Sequence, residues 1–148
     1  TRSILKIADV HVKTLQETLE DMAPYYKFSQ EFIIGMNKNH LRTLETMASR
    51  FGKLKDLIGT KIIDIYLQSQ SQPIEGLSII DKIHKLEKFN MIDSEDTWLE
   101  LRNVRNHITQ EYPDEPALTA KHLNNIYRLA SVLISIYQKL SSAIQYNL

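Results

Sequence analysis

Several common features of folded proteins are missing from this sequence, and each absence excludes a class of structure or partner. Cysteine is absent from the 148 residues, which excludes disulfides and thiolate metal sites and favours a reducing, cytoplasmic setting. Four glycines and four prolines are too few for the many tight turns of an all-β fold, so helix is favoured. No apolar run approaches the roughly 20 residues that cross a bilayer, so no membrane contact is expected.

The sequence also lacks an excess of charge of either sign. Eighteen Lys and Arg side chains oppose eighteen Asp and Glu side chains, so the formal net charge is zero. A neutral protein has no global attraction for nucleic acid or for anionic lipid. Any contact with RNA must therefore be local, at a group of cations on one part of the surface.

Apolar residues recur at the spacing of threes and fours that is typical of amphipathic helices. We expect Ser29 to cap a helix and Pro24, Pro113 and Pro116 to stop others. The predicted helices cover residues 3–22, 29–36, 40–69, 79–89, 98–112 and 117–146. At this length the chain fits one domain. We therefore predict an all-α fold at 1–148, an antiparallel bundle of four principal helices plus a short one.

The longest continuous helical pattern, residues 40–69, places its apolar residues on one face, from Leu41 to Ile65. Gly52 and Gly59 lie inside this helix, seven residues apart and on nearly one azimuth. Neither glycine belongs to a spacing that cradles phosphate. We therefore expect both to permit the close packing of a neighbouring helix rather than to form a ligand loop.

Metal binding is not expected, because the five histidines are scattered. They are His11, His40, His84, His107 and His122, and no two have the spacing of a zinc-binding helix. His11 and His122 lie along apolar stripes and are predicted to sit at the edge of the core. His40 and His84 are predicted to be surface or cap residues.

The most polar predicted helix begins near Trp98 and approaches Tyr112. At 100° per residue, one sector of this helix carries two aromatic side chains, two arginines and a threonine: Trp98, Arg102, Arg105, Thr109 and Tyr112. A solvated or intersubunit face with arginine stacked on aromatic rings is one interpretation. A functional site that uses the two arginines and the tyrosine is the other.

This segment resembles the hallmark of the HepT-like HEPN proteins, R-x-x-x-x-H-x-Y, which usually has Asn after the Arg. The frame Arg105-Asn106-His-Ile-Thr-Gln110-Glu-Tyr112-Pro-Asp114 matches at Arg, Asn, Tyr and the trailing Pro-Asp. Gln110 stands where the family has His. The similarity extends upstream to residues 49–59, which are similar to the family's central helix, and it covers about residues 40–146.

The resemblance implies a metal-independent, cofactor-free ribonuclease toxin that acts as a homodimer, with the motif helices of two subunits meeting at a shared cleft. In that scheme Arg105, Asn106 and position 110 are catalytic, and Arg102 and His107 contact RNA. A 2′-hydroxyl attacks the adjacent phosphate, His moves protons and Arg stabilises the developing charge.

The resemblance also implies a protein partner. In HepT-like systems a minimal nucleotidyltransferase (MntA-like) antitoxin attaches adenylate to the motif tyrosine, here Tyr112, and so blocks the ribonuclease. The added phosphate would compete with RNA phosphate for Arg102 and Arg105. The alternative interpretation of Tyr112 is an aromatic residue that caps the helix and binds only backbone.

Gln110 is the departure that matters, because its amide has no titratable nitrogen near neutral pH and cannot act as general acid or base. His107 is the candidate substitute, and Arg102 to His107 forms a second R-x-x-x-x-H frame with Thr109 in the tyrosine position. Positions 105 and 110 lie roughly 140° apart on a straight helix. Either the helix loosens before 110, or two chains contribute to one site.

Two rival functions remain open from the sequence. The chain is either a non-catalytic HEPN subunit that docks to a nucleotidyltransferase or binds its substrate, an option that Gln110 favours, or an unrelated helical interaction domain. The last option predicts a monomer without a basic cleft around Arg102 and Arg105.

Overall fold

The computed structural model describes residues 1–108 and 114–148, and this part of the chain forms an all-α helical bundle, as predicted. Seven α-helices are described: α1 Arg2–Met22, α2 Gln30–Gly35, α3 Lys38–Leu57, α4 Ile63–Ser69, α5 Ile79–Lys88, α6 Glu95–His107 and α7 Pro116–Tyr146. A 3₁₀ turn, Ala23–Tyr25, follows α1, and a π-helical segment, Ile58–Ile62, joins α3 to α4.

Polar side chains cap the N-termini of four helices. The side chains of Ser29, Asn37, Ser78 and Ser94 each accept a hydrogen bond from the backbone amide three residues later. Such caps satisfy amides that have no partner inside the helix. The cap at Ser29 confirms the sequence-based prediction. Pro116 differs from its prediction, because it is the first residue of α7 rather than a stop for the preceding helix.

The predicted helix at 40–69 is confirmed as α3, the π-helical segment and α4, which follow one another without a break. The predicted apolar face is wrong at one residue, because Leu41 lies in the first turn of α3 and is exposed. The π-helical segment contains Gly59, where the ring of Trp98 from α6 packs against the backbone. Gly59 therefore permits close helix packing, as predicted.

Contacts at both ends of α1 show that it runs antiparallel to α7. Near the start of α1, the Tyr137 hydroxyl donates to the Leu5 carbonyl at 3.1 Å and to the Asp9 carboxylate at 2.6 Å. Beyond the other end of α1, the Asn124 amide bonds to both the amide and the carbonyl of Phe28, at 2.8 and 2.9 Å. The first half of α1 thus lies beside the second half of α7, and the segment that follows α1 lies beside the first half of α7.

Helix α6 lies against α3, again antiparallel. Arg105 contacts Asp56, whereas Trp98, two turns earlier in α6, contacts Gly59, further along the chain. Helix α6 also packs on α7. A continuous hydrophobic core joins these helices, and its largest fully buried side chains are Trp98, Tyr66 and Phe51. Helix α6 is therefore held on two sides.

The histidines lie mostly as the sequence predicts. His11 and His122 are half-buried at the edge of the core, and His84 is exposed beside Glu95. His40 is half-buried rather than at the surface, because its ring packs on that of Tyr25 with centroids 4.4 Å apart.

Candidate functional site

Four of the six predicted site residues lie on the last two turns of α6. Arg102, Asn106 and His107 are exposed, and Arg105 is half-buried between them. The regular helix ends at His107. The other two predicted residues, at positions 110 and 112, lie outside the described residues.

The guanidinium of Arg105 is held by a carboxylate from α3. Its Nε lies 3.1 Å from both oxygens of Asp56, and its Nη2 lies 2.8 Å from Oδ2. Such a two-point pair fixes the orientation of the planar guanidinium, which a single contact cannot do. No described residue bonds Nη1. Arg105 can therefore present a charged edge whose direction is set in advance.

Gly52 makes room for this ion pair. A Cβ atom at position 52 would lie 3.0 Å from Arg105 Nε and 3.1 Å from its Cδ. The side chain of Arg105 thus crosses α3 over the glycine before it reaches Asp56. The prediction that Gly52 permits close packing is confirmed, and the packed group is the candidate site residue itself.

Two further cations lie beside Arg105, and we call Lys55, Arg102 and Arg105 the cationic face. The Lys55 ammonium lies 4.8 Å from the ring centroid of Trp98, a cation–π contact. Partial burial lowers the pKa of Lys55; the Asp56 carboxylate opposes this shift, while the charges of Arg102 and Arg105 add to it. The ammonium of Lys55 is thus close enough to both arginines to be repelled by them.

The charge balance of this region favours an anionic ligand. Three cations share one carboxylate, Asp56, among the described residues around them. A cavity of about 200 Å³ opens beside Lys55 and Arg102, with Asp56, Thr60 and Trp98 in its walls. An anion placed there would relieve the repulsion between Lys55 and Arg102, and it would be repelled by the Asp56 carboxylate in the same wall. The arrangement can therefore bind phosphate, and it can stabilise charge that develops on phosphate.

His107 faces the other side of α6. Its ring lies against that of His122 from α7, with centroids 6.4 Å apart, and it is roughly 200° around the helix from Arg105. Arg105 faces α3. Within one chain the structure therefore does not bring His107 to the guanidinium of Arg105. The hypothesis that His107 replaces the motif histidine beside Arg105 would need the histidine of a second chain.

Sequence reasoning missed Lys55 and Asp56 as members of this site. Both lie in the segment that is similar to the family's central helix, but no local pattern marks either of them. Their partner Arg105 is 49 residues from Asp56 in the sequence. The sequence offered one indirect signal: Lys55 and Asp56 lie about one helical turn after Gly52, on a helix that was expected to pack closely.

Comparison with known proteins identifies no relative: no family model, no curated protein and no solved structure matches this chain. Within residues 1–108 and 114–148, no group of three or more His, Asp or Glu side chains could hold a metal ion. No helix in the same residues is long and apolar enough to cross a membrane. The function must therefore be argued from the side chains of the site.

Replacing Gly52 by alanine should separate the geometry of Arg105 from the stability of the helix. The new methyl group would displace Arg105 from Asp56, which weakens the ion pair. Alanine also raises helix propensity by about 1 kcal/mol relative to glycine. We expect the free energy of unfolding to change by less than about 1 kcal/mol, while the NMR signal of the Arg105 Nε–H shifts. An unchanged Nε–H signal would contradict this account of Gly52.

Proposed function

We propose that this chain is a HepT-like HEPN protein that binds RNA through the cationic face of α3 and α6, and that it acts as a homodimer in the cytoplasm. The observation that carries the proposal is the Arg105 guanidinium, held by Asp56 and flanked by Lys55 and Arg102. The protein has no net charge. A local group of cations with a preset orientation is what RNA phosphate would need here.

The proposed chemistry is metal-independent cleavage of RNA. A 2′-hydroxyl attacks the adjacent phosphorus, the bond to the 5′ oxygen breaks, and a cyclic phosphate and a 5′-hydroxyl remain. Arg105 would stabilise charge on the phosphate oxygens, with Nη1, which no described residue bonds, as donor. The proton of the 2′-hydroxyl needs an acceptor, and Gln110 has no titratable group. The chain as it stands should therefore bind RNA better than it cleaves it.

Regulation by a nucleotidyltransferase partner is part of the same proposal. Tyr112 follows α6 by five residues, so an adenylate group attached to its hydroxyl would be tethered close to the cationic face. The phosphate of that group would compete with RNA for Arg102 and Arg105. The nucleotidyltransferase would then act as an antitoxin.

A second function is a HEPN subunit that docks to the nucleotidyltransferase and has no catalysis of its own. Two observations favour it. Gln110 cannot move a proton, and His107 faces α7 rather than Arg105. Both functions include the cationic face, and they differ in whether a histidine at position 110 is enough to restore cleavage.

Reversing the charge of Arg102 tests the binding proposal. The variant Arg102→Glu should bind single-stranded RNA about tenfold more weakly at low salt, because a phosphate contact becomes a repulsion. Fluorescence anisotropy with a labelled RNA oligonucleotide measures the affinity. The matched control is Lys13→Glu, which makes the same charge change at an exposed position on α1. Equal affinities for the two variants would reject the cationic face as an RNA site.

A further inference from the structure

A second polar surface lies along α7, on the opposite side of α6 from the cationic face. One cavity of about 330 Å³ lies between α6 and α7, and a second of about 410 Å³ lies between α7 and the segment around Tyr26. The two cavities share Lys121, Asn125 and Arg128 as lining residues. Together they form one extended surface, which we call the α7 groove.

The charges of the α7 groove are mostly positive. Lys27, Lys121 and Arg128 line it, and its one carboxylate among the described residues is Glu100. Arg128 is already paired with Glu100, with Nη1 and Oε1 2.9 Å apart. Lys27 and Lys121 are exposed and form no ion pair with any described residue. The groove therefore has positive charge to offer to a ligand.

Two histidines lie at one end of the groove. His107 Nδ1 is 2.6 Å from the Asn103 carbonyl oxygen. Because a carbonyl only accepts, Nδ1 carries the proton and donates it, so Nε2 is the ring nitrogen that can contact a ligand. Burial lowers the pKa of His122, and the neighbouring His107 lowers it further. An anion bound here would oppose that shift by stabilising the protonated ring of His122.

The other end of the groove carries aromatic rings and a side-chain amide. The ring of Tyr26 stacks on that of Tyr127, with centroids 4.2 Å apart and planes 18° apart. The side chain of Asn125 lies between the two cavities. Aromatic rings and amides are the groups on which unpaired bases stack and form hydrogen bonds. Cations beside them are suited to the phosphates that join such bases.

We propose that the α7 groove binds single-stranded RNA, with Lys121 and the two histidines on phosphate and the surface at Tyr26 on a base. The inference rests on the proposed function only for the choice of ligand, since the groove and the cationic face share no residue. RNA held at both surfaces would pass over the end of α6. The chain would then have two separate RNA-binding surfaces, one on each side of that helix.

Charge reversal in the groove tests the inference. The variant Lys121→Glu should bind a fluorescein-labelled single-stranded RNA about tenfold more weakly than Lys13→Glu, its matched control. In the wild-type chain, the same RNA should shift the Cε1–H resonances of His107 and His122 and raise the pKa of His122. Equal affinities of the two variants, or unmoved histidine resonances, would overturn the proposal.

Inorganic phosphate separates the possible ligands. If phosphate alone moves the histidine resonances while Lys121→Glu keeps full affinity for RNA, the groove takes a small phosphate and the RNA proposal is wrong. The variant Arg102→Glu probes the cationic face independently. Loss of affinity only in Lys121→Glu would support the groove and reject the cationic face, and loss only in Arg102→Glu would do the reverse.

Discussion

A histidine at position 110 should turn this chain into a measurable ribonuclease. We expect Gln110→His to raise the rate of RNA cleavage by about 10²- to 10⁴-fold, the usual contribution of a positioned general acid or base. The physical reason is that imidazole exchanges protons near neutral pH and an amide does not. The measurement is the appearance of cyclic phosphate ends on a labelled single-stranded RNA.

The matched control is Gln110→Asn, which changes the size of the side chain but supplies no titratable group. The gained activity should follow a pH profile with a midpoint near the ordinary histidine value of about 6.5. If Gln110→His binds RNA and cleaves it no faster than the wild-type chain, the ribonuclease proposal is rejected and a non-catalytic subunit is favoured. If it neither binds nor cleaves RNA, the ribonuclease proposal and the RNA-binding role of the cationic face both fail.

Removing the ring of Trp98 should cause a large loss of stability. This residue is only 1% exposed; its ring packs on Gly59 and lies below Lys55. Deleting a buried indole leaves a cavity and loses apolar contacts, so we expect Trp98→Ala to lower the free energy of unfolding by about 3–5 kcal/mol. Because Trp98 is the only tryptophan, urea unfolding should be followed by circular dichroism rather than by fluorescence.

An aromatic residue at the surface provides the control for this loss. Tyr146 is 90% exposed near the end of α7, and Tyr146→Ala should change the stability by no more than about 0.5 kcal/mol. A loss below about 1 kcal/mol in Trp98→Ala would mean that α6 is not anchored through Trp98. The cationic face depends on that anchor, because Arg102 and Arg105 lie on the same helix.

The fold could be predicted largely from the sequence because its signals are local. Apolar periodicity placed α1 and α7 to within a residue of their bounds, and Ser29 marked the start of α2. The errors occurred where local signals compete. Leu41 fits the apolar period but lies in the first turn of α3, where it is exposed. Proline can stop a helix or occupy its first turn, and Pro116 takes the second position, as the first residue of α7.

The site could be predicted only in part, because ion pairs between helices leave no local pattern. Arg105 is recognisable from its motif, but its partner Asp56 lies 49 residues earlier. Helical azimuths predicted that Arg102 and Arg105 share a sector, yet they do not reveal which neighbouring helix that sector faces. The same limit explains why His107 was a candidate substitute for the motif histidine. Its contact with His122 depends on how α7 packs against α6.

The most direct test of the central claim is whether cleavage gained at position 110 depends on the anchored Arg105. The comparison is the rate of RNA cleavage, in the presence of a metal chelator, by Gln110→His and by the double variant Gln110→His/Arg105→Lys. Lysine keeps the charge but cannot form the two-point contact. The account predicts that the double variant loses about 10²- to 10³-fold in rate. Equal rates in the two proteins would contradict it.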